Sequence, residues 1–294
     1  MKRSHVLLLL LTSCIAVLAS RGLMSCNAAL PEHSPDNERL LSLYPAITET
    51  LFAINGEEKL VGRSDYCTHP KEASALPSFG TALTPNLEPI AGLAPGRILL
   101  GSSTHSEMEK LKSLATTDVY PWLTLEEVAE STRRLGELVG KTEKAESLAI
   151  QYEQRLGGTP GPTAPTVLIL LGGSELSKGP YWFIKSNSLH GAALHAAGYR
   201  NAVPGSLAGP PSMSVERLIE IDPDIILILG DAHTTDATSR AMIGAIENLS
   251  PLQAVQNQTI EVMRGENLLS VGPHILTFSA ALQQTCDVLR SRLP

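Results

Sequence analysis

Two α/β lobes, each on a parallel sheet and joined by a rigid linking helix, are what this 294-residue sequence predicts. Three observations carry that prediction. First, "NLEPIAGLAPGRILLG" (86–101) and "SVERLIEIDPDIILIL" (214–229) align without gaps at an offset of 128 residues, 86 to 214. Each reads as a capping residue, Asn86 or Ser214, then an apolar-periodic helix, a break at Pro95 or Pro223 and a buried strand. Second, strand-like and helical runs alternate in both halves, which implies parallel sheets. Third, "TLEEVAESTRRLGELVGKTEKAESLAIQYEQRL" (124–156) keeps helical apolar spacing between the halves, with Gly140 as a break, so the link is helical rather than made of flexible strands.

The elements follow in order. Lys2 and Arg3 precede an apolar run from Val6 to Ala19, the charged start and hydrophobic stretch of an export signal. The run is shorter than the roughly 20 residues needed to cross a bilayer, so it reads as processed. Leu11-Thr12-Ser13-Cys14 and Leu23-Met24-Ser25-Cys26 resemble the bacterial lipobox; Cys26 is the favoured lipidation site, with ordinary cleavage after Ala19 as the alternative. Residues 1–26 are therefore assigned to the signal, 27–37 to a polar tether, 38–123 to an N-terminal lobe, 124–157 to the linking helices and 158–294 to a C-terminal lobe. "RLLSLYP" (39–45) is a strand leading into a helix at "ITETLFAI", and "TVLILLGGS" (166–174) is a strand leading through a loop to "SLHGAALHAAG". "GGTPGPTAP" (157–165) is a Pro/Gly connector.

The formal charge is −7; without Lys2, Arg3 and Arg21, Lys plus Arg falls from 23 to 20 against 30 acids, or −10. That balance argues against a nucleic-acid partner. Two of the four Cys lie in the signal, leaving Cys67 and Cys286 in opposite halves of the fold. An exported protein could join them, and the sequence leaves that pairing open.

"GRSDYCTHP" (62–70) concentrates an acid, a phenol, a thiol and an imidazole. Cys67 and His69, two apart, face one side of an extended loop, but no second Cys/His pair completes the four ligands of a structural zinc site. His190 and His195 are five apart and diverge on a helix. No metal is expected. Nucleophilic catalysis has little support, since "GGSEL" (172–176) lacks the second glycine of a nucleophile elbow and Cys67 has no evident base. "GELVGKT" (136–142) is one residue short of a phosphate loop and lies in helical pattern.

The run Ser42-x-x-Pro45-x-x-Thr48-Glu49, the run Asp65-Tyr66-Cys67-x-x-Pro70 and the helix start Asn86-Leu87-Glu88, with "SVERLIEIDPDII" and "GPHILTFSAALQQ" in the second half, resemble the periplasmic binding proteins of corrinoid, siderophore and haem ABC importers. The resemblance covers about residues 38 to 290 and is nearest to the vitamin B12 (cobalamin)-binding branch. It implies two Rossmann-like lobes on a helical backbone, a ligand in the inter-lobe cleft and only small lobe movements.

Residue by residue, the resemblance implies that Tyr44 and Pro45 end the first strand and touch ligand. Tyr66 offers a ring face from a cleft loop, Trp182 an aromatic from the second lobe, and Glu266 and Asn267 a polar rim. It also implies that Glu88 and Glu216, one acid per lobe, dock on basic residues of a two-fold symmetric ABC permease dimer. A Glu in a first turn also suits the helix dipole. The pattern has gaps: Ala82 and Leu83, and Pro210 and Pro211, stand where corrinoid binders carry aromatics, and Ala197 stands near the position of a Cys partner for Cys286. The expected protein is an exported, non-catalytic monomer, periplasmic or tethered as a lipoprotein. It needs no cofactor and carries cobalamin or a similar macrocycle as its transported ligand. A ferric siderophore is the alternative that would need cleft cations, for which Arg63, Lys178, Lys185 and Arg264 are available. Haem would need an axial Tyr66 or His69. A secreted hydrolase, using Cys67 or Ser174, is the alternative of a different class.

Overall fold

The computed structural model describes residues 39–101, 107–173, 176, 179–203, 205 and 210–294. The signal with Cys14 and Cys26, the tether, Ser174 and Lys178 lie outside the described residues.

In the first lobe β1 (Leu40–Ser42) leads into α1 (Pro45–Ala53), β2 (Leu60–Arg63), α2 (Leu87–Leu93), β3 (Arg97–Gly101), α3 (Met108–Lys112) and β4 (Thr116–Tyr120). The strands lie in the order β2-β1-β3-β4, all parallel. After the link, formed by α4 (Leu125–Val139) and α5 (Thr142–Leu156), come β5 (Thr166–Leu171), β6 (Tyr181–Trp182), α6 (Leu189–Ala196), β7 (Arg200–Asn201), β8 (Ser212–Met213), α7 (Val215–Ile221), β9 (Ile225–Gly230), α8 (Asp236–Glu247), α9 (Gln253–Gln256), β10 (Ile260–Arg264) and α10 (Ile275–Arg290). Their sheet runs β10-β9-β5-β7, again parallel, with β6 and β8 as a separate antiparallel pair. Counted within each lobe, both sheets have the order second, first, third, fourth. The 128-residue echo is thus a repeated supersecondary unit.

The repeat extends to the backbone. α2 and α7 both end on a left-handed residue, Ala94 at φ 49° and Asp222 at φ 44°, followed by Pro95 and Pro223. A left-handed non-glycine costs about 1–2 kcal/mol, and both lobes bear it to turn the chain into the central strand. The expected capping differs between them. Ser214 accepts from the Arg217 amide, whereas the Asn86 side chain makes no cap bond. All six residues of β9 are buried, as a central strand covered on both faces requires.

The link is a pair of helices. Thr124 and Glu127 form a reciprocal capping box at the start of α4, a device that stabilises a helix by about 1 kcal/mol. Gly140, at φ 70°, closes the helix in the left-handed conformation that glycine adopts without strain. The chain then folds back, so that Arg133 of α4 binds Glu146 and Glu153 of α5 at 2.7–3.0 Å. α4 packs on α1 of the first lobe, and α5 on α6 and α10 of the second. One hydrophobic cluster consequently runs from Ile47 through Trp122, Leu135 and Tyr152 to Leu189 and Phe278.

Candidate functional site

Parallel sheets of this kind hold ligands beyond the carboxyl ends of their strands, where the strand order reverses. In the first lobe that point follows β1. Contrary to the expectation that they end the first strand, Tyr44 is the N-cap of α1 and Pro45 its first residue, a position that suits proline because the missing N–H has no helical partner. The Tyr44 ring packs against Gly101 at the end of β3, and burial raises its hydroxyl pKa.

The loop after β2 is tied down by Ser64 N–H to the Ser42 carbonyl at 2.9 Å and Asp65 N–H to the Gly80 carbonyl at 2.8 Å. Its side chains divide. Cys67 is buried, with its thiol 3.1 Å from Ser64 Oγ and 3.8 Å from the Ser42 carbonyl. Tyr66 is 71% exposed, and the His69 ring meets His274 edge to face at 5.8 Å. Cys67 and His69 therefore do not share a side: the thiol turns inward, while the imidazole meets His274. Cys67 and Cys286 are both free and buried; burial raises both thiols, Cys286 to about 12. An inward thiol of raised pKa is a poor nucleophile.

The opposite wall is the segment from Gly265 to His274. Ser270 donates its hydroxyl to Glu49 of α1, and the Trp122 indole donates to the Val271 carbonyl at 2.6 Å. On the second lobe's side, buried His190 lies 2.8 Å from the Leu268 carbonyl; a carbonyl only accepts, so Nε2 carries the proton. A Cβ at position 272 would overlap the Glu49 carboxylate, so any larger residue there would have to displace it.

Between these walls lies a cavity of about 300 Å³ bordered by Tyr44, Pro45, Glu49, Tyr66, His69 and Asn267 among others. Four of the six ligand-site residues singled out from the sequence, Tyr44, Pro45, Tyr66 and Asn267, border it. Glu266 is exposed and does not; its backbone hydrogen bond and its charge oppose the fall in the His274 pKa caused by burial and by His69. Trp182 does not border it either. Instead of a loop it occupies the two-residue strand β6 opposite Ser212, with its side chain 45% exposed while Tyr181 and Phe183 enter the core.

Glu49 is the residue that sequence reasoning passed over, although it closes the Ser42-x-x-Pro45-x-x-Thr48-Glu49 run. It is buried, and desolvation raises its pKa against the opposing effects of Ser270, His69 and the His274 amide. Arg63 is spent on the Leu76 and Ser64 carbonyls, and Arg264 on Asp236. Among the described residues, no group of three or more His, Cys, Asp or Glu is disposed to hold a metal ion, and no helix is long and apolar enough to cross a membrane. Glu88 and Glu216 occupy equivalent first-turn positions on α2 and α7, both exposed.

Known proteins resemble this chain over most of its length. The family model described as periplasmic binding protein matches residues 40–266. A cobalamin-binding protein of Halobacterium salinarum is 26% identical over 236 residues, which are 76% of this chain and 60% of that relative's length. A vitamin B12-binding protein of Vibrio cholerae is 26% identical over 257 residues, covering 86% of this chain and 89% of the relative. Among solved structures, a periplasmic haem-binding protein of Pseudomonas aeruginosa superposes with a TM-score of 0.67 at 24% identity, covering 84% of this chain and 91% of that one.

Proposed function

The chain belongs to the periplasmic binding protein family, and from that membership we propose that it captures cobalamin or a related corrinoid between its lobes and delivers it to the permease of an ABC importer. The observation that carries the reading is Tyr66. A tyrosine held 71% exposed on a loop pinned by backbone hydrogen bonds, at the rim of the inter-lobe cavity, presents a rigid ring face to a large planar ligand. The sequence relatives named for cobalamin and vitamin B12 support the choice of ligand. Tyr44, Pro45 and Asn267 join Tyr66 in this reading, and Glu266 and Trp182, which lie off the cavity wall, complete the proposed set.

The second lobe's Glu216 and the first lobe's Glu88 are the docking acids. Their pseudo-symmetric positions suit a two-fold symmetric basic partner, and both stand clear of the cavity. Export with lipidation at Cys26, and action as a monomer, complete the proposal.

Haem is the second reading, favoured by one observation. Tyr66 and His69 border the same cavity, and either can supply an axial ligand to iron. Incubation of the purified protein with cyanocobalamin, haem or a ferric siderophore, followed by exhaustive desalting and visible spectroscopy, separates the readings. Retained corrinoid bands near one per chain are expected; retained haem bands alone would move the assignment, and a colourless protein would overturn both.

A further inference from the structure

The segment between β10 and α10 belongs to the second lobe by connectivity and largely to the first by contact. Glu49 of α1 accepts from the Ser270 hydroxyl at 2.8 and 2.9 Å and faces the His274 amide. Trp122, between β4 and α4, donates to the Val271 carbonyl at 2.6 Å, and His69 of the loop after β2 meets the His274 ring. From the second lobe's own side, His190 of α6 bonds the Leu268 carbonyl at 2.8 Å. The division falls at Leu269: Leu268 is tied to the second lobe, and Ser270 to His274 are tied to the first lobe and the start of the link.

The first-lobe anchors are buried. Glu49 is 6% exposed and Trp122 3%, so water competes poorly for either bond. A buried carboxyl costs free energy unless it is hydrogen-bonded. Glu49 shares the buried face of α1 with Ala46, Ile47 and Leu51, where a leucine would pack without that cost. Packing alone therefore does not account for an acid at this place, whereas a directional bond across the lobes does. The carboxylate accepts from Ser270, and the Ser270 oxygen in turn accepts from the Gly272 amide at 3.1 Å. This chain of bonds sets the shape of the segment as well as its distance from α1. Asn267, Leu269, Ser270 and Val271 all border the cavity at Tyr66, so whatever fixes the segment fixes that wall.

We propose that Glu49 is a positioning residue: together with Trp122 it clasps residues 270–274 to the first lobe, so that this wall of the cavity is in place before ligand arrives. The lobes are then held to each other by a non-covalent fastening in addition to α4 and α5. Its effect on ligand rests on the corrinoid reading above; the clasp itself does not.

Trp122 reports on the clasp without ligand. In the full chain carrying Trp182→Phe it is the one tryptophan left, and its burial keeps acrylamide away from it. Ser270→Ala and Glu49→Ala remove the bond from either side, and Gly272→Ala keeps both partners but pushes them apart. Each is expected to raise acrylamide quenching of the folded protein about twofold or more, through local opening of the segment. Glu49→Gln, which keeps an acceptor for Ser270, is expected to restore wild-type quenching. With Trp182 retained, cyanocobalamin is expected to leave Ser270→Ala about fivefold to tenfold faster than the wild type. Wild-type quenching in Ser270→Ala and Gly272→Ala, or no rescue by Glu49→Gln, overturns the clasp. Raised quenching with unchanged cyanocobalamin release overturns the positioning role. A wild type that does not retain cyanocobalamin overturns the corrinoid reading instead, and quenching alone then decides the clasp.

Discussion

Ser270 of the second lobe donates its hydroxyl to both carboxylate oxygens of Glu49 in the first, at 2.8 and 2.9 Å. The bond joins residues 221 apart in the chain at the floor of the cleft. Because burial raises the Glu49 pKa, the folded state holds the Glu49 carboxyl proton more tightly than the unfolded state does. The stability it contributes is full below the unfolded carboxylate pKa and is lost as pH rises through the folded one. Glu49→Gln keeps an acceptor for Ser270 and removes the charge. Urea unfolding at pH 5 and pH 7 is expected to show a smaller loss of stability on going to pH 7 in the variant than in the wild type; equal losses would show that Glu49 does not titrate there.

Tyr66→Ala separates binding from folding. An exposed side chain contributes little to stability, within about 0.5 kcal/mol. Loss of its ring face is expected to weaken ligand by about 1 kcal/mol or more, roughly fivefold to tenfold. Thermal melts and ligand titration of the same variant check both halves.

The Tyr152 hydroxyl and Thr50 Oγ1 are buried and face each other, and among the described residues neither makes a hydrogen bond of good geometry. An unsatisfied buried hydroxyl costs about 1–3 kcal/mol. Tyr152→Phe keeps the ring and removes the group, so the variant is expected to be more stable than the wild type by about 1 kcal/mol in urea. A less stable Phe variant would mean that the hydroxyl is satisfied in solution.

Glu88→Ala with Glu216→Ala should spare ligand affinity and slow association with the permease, more so at low salt, where attraction between exposed charges is least screened. Surface-immobilised permease and a salt series provide the readout. Unchanged association rates at every salt concentration would remove the docking role from both acids.

The doubled architecture was legible because its signals are local. The match of 86–101 to 214–229 lies within single helix–strand units; α2 and α7 follow it residue for residue, and β3 and β9 start at matching positions, with β9 one residue longer. The fold-back at Gly140 was only half legible, since apolar spacing is the same along one helix and along two that pack together. Tyr44, Pro45, Tyr66 and Asn267 could be tied to a cleft through family motifs. Glu49 could not be tied to Ser270, nor Trp122 to Val271, because contacts across hundreds of residues leave no trace in periodicity. Trp182 was misjudged as a loop residue since a two-residue strand is too short for alternation to register.

The hydrophobic cluster that threads from Ile47 through Tyr152 to Phe278 has a consequence for how the molecule comes apart. A chain whose halves shared only a tether would melt in two steps. Here each half relies on apolar surface supplied by α4 and α5, so calorimetry should record a single transition whose van't Hoff and measured enthalpies agree. Severing the chain near Gly140 should leave two fragments that regain structure only when mixed.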